Sequence, residues 1–316
     1  MDNHHFERMK RALAAEEQSP HPTHKVGALI CGLDQSGQSF ERVHYNFWPK
    51  PLEQHIGANE KLGNASTTIH AEMAALFTVP YSINAEIYIT DLPCPNCAKT
   101  IAHAGIGNVY IDSHTHDTPL GIKIKPYFDA VSMVIFKKAG IGVFEIHIEQ
   151  QTVTCLQEYG RAHIMPDTPI MHMIEGDIDA AMFQREIDNV DLNAPFAACL
   201  ATNQNGDVIF LHAQTELSEG LSEADADAIR KNQDKYVPTL QPINRLLVTC
   251  ASYGLQIING YIFSSRTPTS REFVNLIGAG HNHLYIGDAA KCRDEWGLDA
   301  LSKLQEKGIL KVQAFR

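Results

Sequence analysis

Apolar positions along the chain fall into two runs of the same order, one in each half. Over 6–17 they recur with the period of an amphipathic helix, and 26–31 then reads as a short buried strand closed by a glycine turn. A long polar stretch follows, then a helical pattern, an apolar strand over 85–90, another helix and a short strand over 109–111. A helix over 130–139 and a strand over 143–148 close the half. The second half repeats this order: a helix over 178–190, strands over 197–201, 260–264 and 284–286, a helix over 298–307 and a strand over 310–315. Strands that alternate with helices pack in layers, so each half is expected to be an α/β domain.

Residues recur along with the pattern. Ala104-Gly105 and Tyr110-Ile111 return 175 positions later as Ala279-Gly280 and Tyr285-Ile286, and Ile87 and Pro93 return as Ile262 and Pro268. Upstream the spacing is 169, from Gln35 and Gly37 to Gln204 and Gly206, a change that one loop insertion accounts for. Self-similarity at a fixed period indicates two copies in tandem. The expected organisation is a first domain over 1–150, a connector over 151–176 holding Pro166 and Pro169, and a second domain over 177–316.

Composition narrows the function classes. Lys and Arg total 26 against 37 Asp and Glu, a net charge of −11, which repels phosphate backbones and argues against a nucleic-acid partner. No apolar run is long enough to cross a bilayer, and the first residues lack a signal peptide's apolar core. Seven cysteines, an odd number, fit free thiols better than a disulfide framework, which points to a reducing cytoplasm.

Two short segments carry the candidate chemistry: Thr67-Thr68-Ile69-His70-Ala71-Glu72 and Leu92-Pro93-Cys94-Pro95-Asn96-Cys97-Ala98-Lys99. His-x-Glu alone is weak, since His5-Phe6-Glu7 and His147-Ile148-Glu149 share it, and a lone Cys-x-x-Cys is ambiguous. In this order the two are specific. His70, Cys94 and Cys97 make three ligands for Zn2+, leaving a tetrahedral position open for water, whereas a fourth would close the site. Apolar-periodic runs follow His70 and Cys97, so both pieces are expected at helix starts, where free N–H groups favour anionic sulfur. Glu72, near the metal without binding it, can take a proton from water and pass it on. The expected reaction is hydrolytic deamination of a nucleobase with release of ammonia.

With these residues the first half, about residues 5–148, resembles the cytidine and deoxycytidylate deaminase family, and most of all its deoxycytidylate branch. The likeness also runs through Pro22-Thr23-His24-Lys25-Val26-Gly27-Ala28 and Tyr45-Asn46-Phe47-Trp48-Pro49-Lys50. It implies a three-layer fold, a mixed five-stranded sheet with helices on both faces. It also implies Asn46 on the sugar and the Ala71 N–H on the base. Lys50 stands where the branch has Arg, as the candidate for a 5′ phosphate, and Trp48 is an aromatic that could stack on a base. Pro51 and Ala74 depart from the branch's Gly and Asn.

At the spacing of 175, His70 maps to Arg245, Glu72 to Leu247, Cys94 to Thr269 and Cys97 to Glu272, so the second copy is expected to lack the metal site. His114, His116 and Asp117 read as a solvated loop, His281 and His283 as loop histidines, and Gly140-Ile141-Gly142 as a helix-ending turn. The expected substrate is a small cytosine-containing nucleotide or nucleoside, in a pseudo-dimer that can pair again as a homodimer. The alternatives are a free base, a purine or a nucleic-acid base as substrate, or a zinc-stabilised binding module without turnover.

Overall fold

A computed structural model of the chain describes residues 4–160, 170–191, 194–232 and 237–314. Helix α1 (His4–Glu16) leads into strand β1 (Gly27–Leu33), whose side chains part by alternation. Ala28 and Ile30 join one apolar cluster, while Leu29 and Cys31 join Phe6, Met9 and Ala12 of α1 on the other face. Strands β2 (Ser39–Tyr45) and β3 (Glu86–Ile89) flank β1 antiparallel. Strands β4 (Asn108–Asp112) and β5 (Gly142–His147) then continue parallel to β3. Parallel neighbours need crossovers. Helix α3 (Pro95–His103) supplies the one from β3 to β4, while α2 (Ala71–Leu76) precedes β3 on the same face.

The five-strand order β2-β1-β3-β4-β5 meets the expectation, and the first sheet adds a sixth strand, β6 (Thr152–Gln157), beyond β5. Strand β7 (Ile170–Met173) joins the second sheet. The stretch read as a connector therefore gives each sheet an outer strand; Pro166 and Pro169 lie outside the described residues, as does Phe315. The helix expected over 130–139 starts earlier, at Pro119, and passes through a π-type turn at Phe128–Ser132 just after Pro126, whose missing N–H disturbs the regular ladder. Gly140, at φ +69°, ends it as expected.

The second half repeats the plan. Helix α4 (Ala180–Asp188) precedes β8 (Phe196–Thr202) and β9 (Val208–Gln214). Helix α5 (Pro242–Tyr253) leads to β10 (Gln256–Thr267), α6 (Ser270–Gly278) to β11 (His283–Cys292), and α7 (Glu295–Glu306) to β12 (Lys311–Ala314). The order β9-β8-β10-β11-β12 matches the first sheet strand for strand, with β7 added beyond β9, at the opposite edge from β6. Phe183 and Met182 of α4 pack on one face, and α5, α6 and α7 cover the other.

The two cores interpenetrate. Leu221, Ile229, Val248 and Ala251 of the second half pack into the cluster that contains Cys94, Cys97 and α3. In return, Leu52, Leu62 and Ala65 of the first half lie in the second half's cluster. No helix among the described residues is long and apolar enough to cross a membrane.

Candidate active site

His70 and Cys94 occupy equivalent positions, each the extended N-cap of a helix, α2 and α3, with Pro95 at the first position of α3. Each is delivered by a pinned segment. A two-way bridge pairs Ile69 with Phe47, the Ile69 N–H donating to the Phe47 carbonyl at 2.9 Å. Ahead of Cys94, buried Asp91 accepts from the Leu92 N–H and the Thr115 hydroxyl, both at 2.6 Å, and Ser132 donates to the Pro93 carbonyl at 2.9 Å. Cys97 follows one turn into α3, on the face of Cys94.

His70 Nδ1 lies 3.2 Å from Cys97 Sγ and 3.6 Å from Cys94 Sγ, and the three donor atoms fall within 4.8 Å of one another. One imidazole nitrogen and two sulfurs, gathered at two helix N-termini, form a donor set compatible with zinc, and among the described residues no fourth donor joins them. The Cys94 thiol is held well below its usual range, first by the Cys97 S–H donating to it and then by His70. Burial works against a charge on His70, the sulfur of Cys94 outweighs it, and Arg271 of the second half is near enough to push back. Glu72, only 4% exposed at the second position of α2, is raised above the ordinary carboxylate range by burial.

The other residues singled out from the sequence surround this cluster unevenly. Ala71 is the first residue of α2, where an N–H has no acceptor within its own helix. Asn46 is committed to protein: its Oδ1 accepts from Ser19 Oγ and the Val26 N–H, both at 2.8 Å, and its Nδ2 donates to the His24 carbonyl at 2.7 Å. Trp48 is buried, stacked on His21 at 5.3 Å, and its Nε1 has no partner. Lys50 is exposed at the start of a short helix, Lys50–His55. The sequence reading passed over His24, whose ring stacks on His21 and whose Nδ1 is buried without a partner. Only its place in the quoted loop could have signalled it. Lys99, which ties the site to the second half, lay inside the quoted Cys segment without a role of its own, and Arg271, which does the same, had no signal at all.

The second half answers this site position for position, and one assignment needs correcting. By helix ends, the N-cap of α5 is Gln241 and the N-cap of α6 is Thr269. Gln241 therefore stands opposite His70 and Ile243 opposite Glu72, in place of Arg245 and Leu247; Thr269 and Glu272 stand opposite Cys94 and Cys97 as expected. A fixed spacing failed because β10 carries extra residues where its register against β8 shifts, between the pairs Cys199–Ile262 and Ala201–Ile257. Where the first half gathers metal donors, Glu272 spans both helix starts. One carboxylate oxygen accepts from the Ile243 N–H at 2.9 Å, and the other accepts from the Thr269 N–H and hydroxyl at 2.8 Å. Glu272→Ala strands these buried donors and is expected to lower stability by about 1–3 kcal/mol, read as a drop in thermal midpoint. An unchanged midpoint would remove the bridge from the fold's support.

Among the described residues the remaining histidines do not assemble a comparable site. His116, on a short turn over 113–117, and His147, at the end of β5, each bind one oxygen of Glu145, at 2.5 and 3.0 Å. Desolvation pushes half-buried His281 down to about 4, and His283 lies tilted against Tyr285 at 5.2 Å. Among the described residues one further group of metal-type donors converges, His4, His5 and Glu86. Its carboxylate is already engaged by Arg8 at 3.0 Å and by the Tyr88 hydroxyl at 2.9 Å.

A sequence profile of the cytidine and deoxycytidylate deaminase zinc-binding region matches residues 2–113. A protein of Aliivibrio fischeri, described as an uncharacterized deaminase in the luxG 3′ region, is 30% identical over 128 residues, which cover 40% of this chain and 81% of that protein. ComE operon protein 2 of Bacillus subtilis strain 168 is 36% identical over 97 residues, 28% of this chain and 44% of that protein. The solved structure of the dCMP deaminase from the cyanophage S-TIM5, in complex with dCMP and dUMP, is 24% identical with a TM-score of 0.31, covering 46% of this chain and 99% of that one. With the profile matching where His70, Glu72, Cys94 and Cys97 converge, the chain belongs to the cytidine and deoxycytidylate deaminase family.

Proposed function

We propose that residues 1–150 form a zinc-dependent hydrolytic deaminase acting on a cytosine-containing nucleotide or nucleoside. In this reading 177–316 is a deaminase-like domain without metal ligands, joined through 151–176. The observation that carries it is the convergence of His70, Cys94 and Cys97 with a buried carboxylate, Glu72, beside them. Bound there, zinc would act as a Lewis acid that makes water a nucleophile near neutral pH.

The chain's own groups do the rest. Glu72 takes one proton from the attacking water and delivers it to the ring nitrogen. It then takes the second proton from the hydroxyl so formed and gives it to the departing amine, so that the C–N bond breaks and water and an aminopyrimidine become a carbonyl and ammonia. Its burial favours the protonated form between these transfers. The Ala71 N–H steadies the base and the Asn46-held loop borders the sugar. Trp48 and His24, with buried polar atoms that protein leaves unpaired, both stack on His21 beside that loop, and exposed Lys50 is the candidate cation for a 5′ phosphate.

Purified protein is expected to hold about one zinc per chain. Removing it with a chelator should abolish ammonia release, and zinc should restore it. A panel of nucleotides, nucleosides, free bases and oligonucleotides assigns the substrate: release from cytosine nucleotides or nucleosides supports the reading. Release only from purines, free bases or oligonucleotides would overturn the substrate, and none from any would leave a binding module.

A further inference from the structure

The segment that leads into His70 rests on α6 of the second half. Gly278 approaches Ile69 so closely that an added Cβ would lie 2.5 Å from its Cδ1, and a Cβ on Gly63 would meet Ser270 Oγ at 2.2 Å. At the start of the same helix Arg271 reaches across. Its Nη1 donates to the Thr68 carbonyl at 2.9 Å and its Nη2 to Ser66 Oγ at 3.2 Å. Thr68 is two residues before His70, and Ile69 between them is the residue bridged to Phe47. The segment is thus gripped by Phe47 and by a guanidinium from the other half.

We propose that Arg271 is a positioning residue for the deaminase site, supplied by the second half to fix the path of residues 66–70 and with it the place of His70 relative to Cys94 and Cys97. The inference rests on His70 being a metal ligand, as read above. Two physical arguments support it. A six-residue helix such as α2 cannot define its own start, because isolated helices that short do not hold in water. A planar fork of donors on two successive acceptors sets both position and direction, which a lone ammonium does not. The other ligand-bearing helix is tied across the interface too: Lys99 of α3 donates to the carbonyls of Val237 at 2.8 Å and Thr239 at 3.0 Å. The second half therefore holds both ligand-bearing elements.

Arg271→Ala in the full chain is expected to weaken zinc binding about tenfold, read by competition with a chromophoric chelator, and to lower kcat by a similar factor with KM little changed. Added guanidinium ion at low concentration should recover part of both losses, which a contribution to folding alone would not allow. Zinc affinity within about twofold of wild type, or a loss that guanidinium does not recover, overturns the proposal. If Arg271→Ala does not fold, Arg271→Lys is read in its place, and wild-type zinc affinity in that variant overturns it equally. The substrate reading fails separately: a wild type that binds zinc yet releases no ammonia refutes it, while weaker zinc binding in Arg271→Ala still upholds the positioning role.

Discussion

Glu72→Ala is expected to keep the zinc and the fold while losing turnover by about 10²–10⁴-fold, the range over which a positioned proton carrier contributes. The side chain lies against the cluster of His70, Cys94 and Cys97 without being one of its three donors, so truncation would remove the proposed proton carrier and leave the donors in place. Relieving a buried acid of its desolvation cost also makes the change mild for folding. Ammonia release, zinc content and thermal midpoint measured on one preparation separate these effects. Half the wild-type rate with full zinc would mean that the proton travels by another route. Cys94→Ala provides the contrast, since it removes a ligand and should lose metal together with activity.

A fragment of residues 1–160, which keeps all six strands of the first sheet, is expected to be insoluble or nearly inactive alone and to recover when the second half is supplied in trans. The reason is the shared core. Without the second half, α3 loses Leu221, Ile229, Val248 and Ala251 from its outer side, and an apolar face of that kind drives aggregation. Lys99, buried and lowered to about 8 by burial, loses both carbonyls that hold it. Gly254 leaves no room for a side chain, since any Cβ there would overlap the Pro80 carbonyl oxygen, so closely do the halves meet. Sedimentation and ammonia release on the fragment decide the matter. A soluble fragment with full activity would show that the second half serves some other end.

The site was legible in the sequence because its chemistry is local. Cys94 and Cys97 share one turn of a helix, and His70 and Glu72 open another, so spacing alone declares them. The five-strand core was legible because alternation along β1 and the apolar runs of β3 and β4 survive burial on both faces. Strand β6 was not, since it is an edge strand with four of its six residues exposed. Arg271 was invisible for another reason: its partners, Thr68 and Ser66, lie some 200 positions away in the chain. Glu272 was found as the residue in place of Cys97, but its function was not. A carboxylate at that position explains nothing until Ile243 is seen beside it, and the fixed spacing had put Leu247 where Ile243 belongs.

That carboxylate also changes what the molecule requires of its surroundings. Two identical copies would each have to capture an ion before their helix ends were joined; here one copy joins them with an oxygen atom to each side. In a medium stripped of metal, the half closed by Glu272 keeps its shape and goes on presenting α5 and α6 to its neighbour. Loading the other half is then a local event, three side chains closing on an ion against a surface already formed. Scarcity of zinc would idle such a protein without unmaking it.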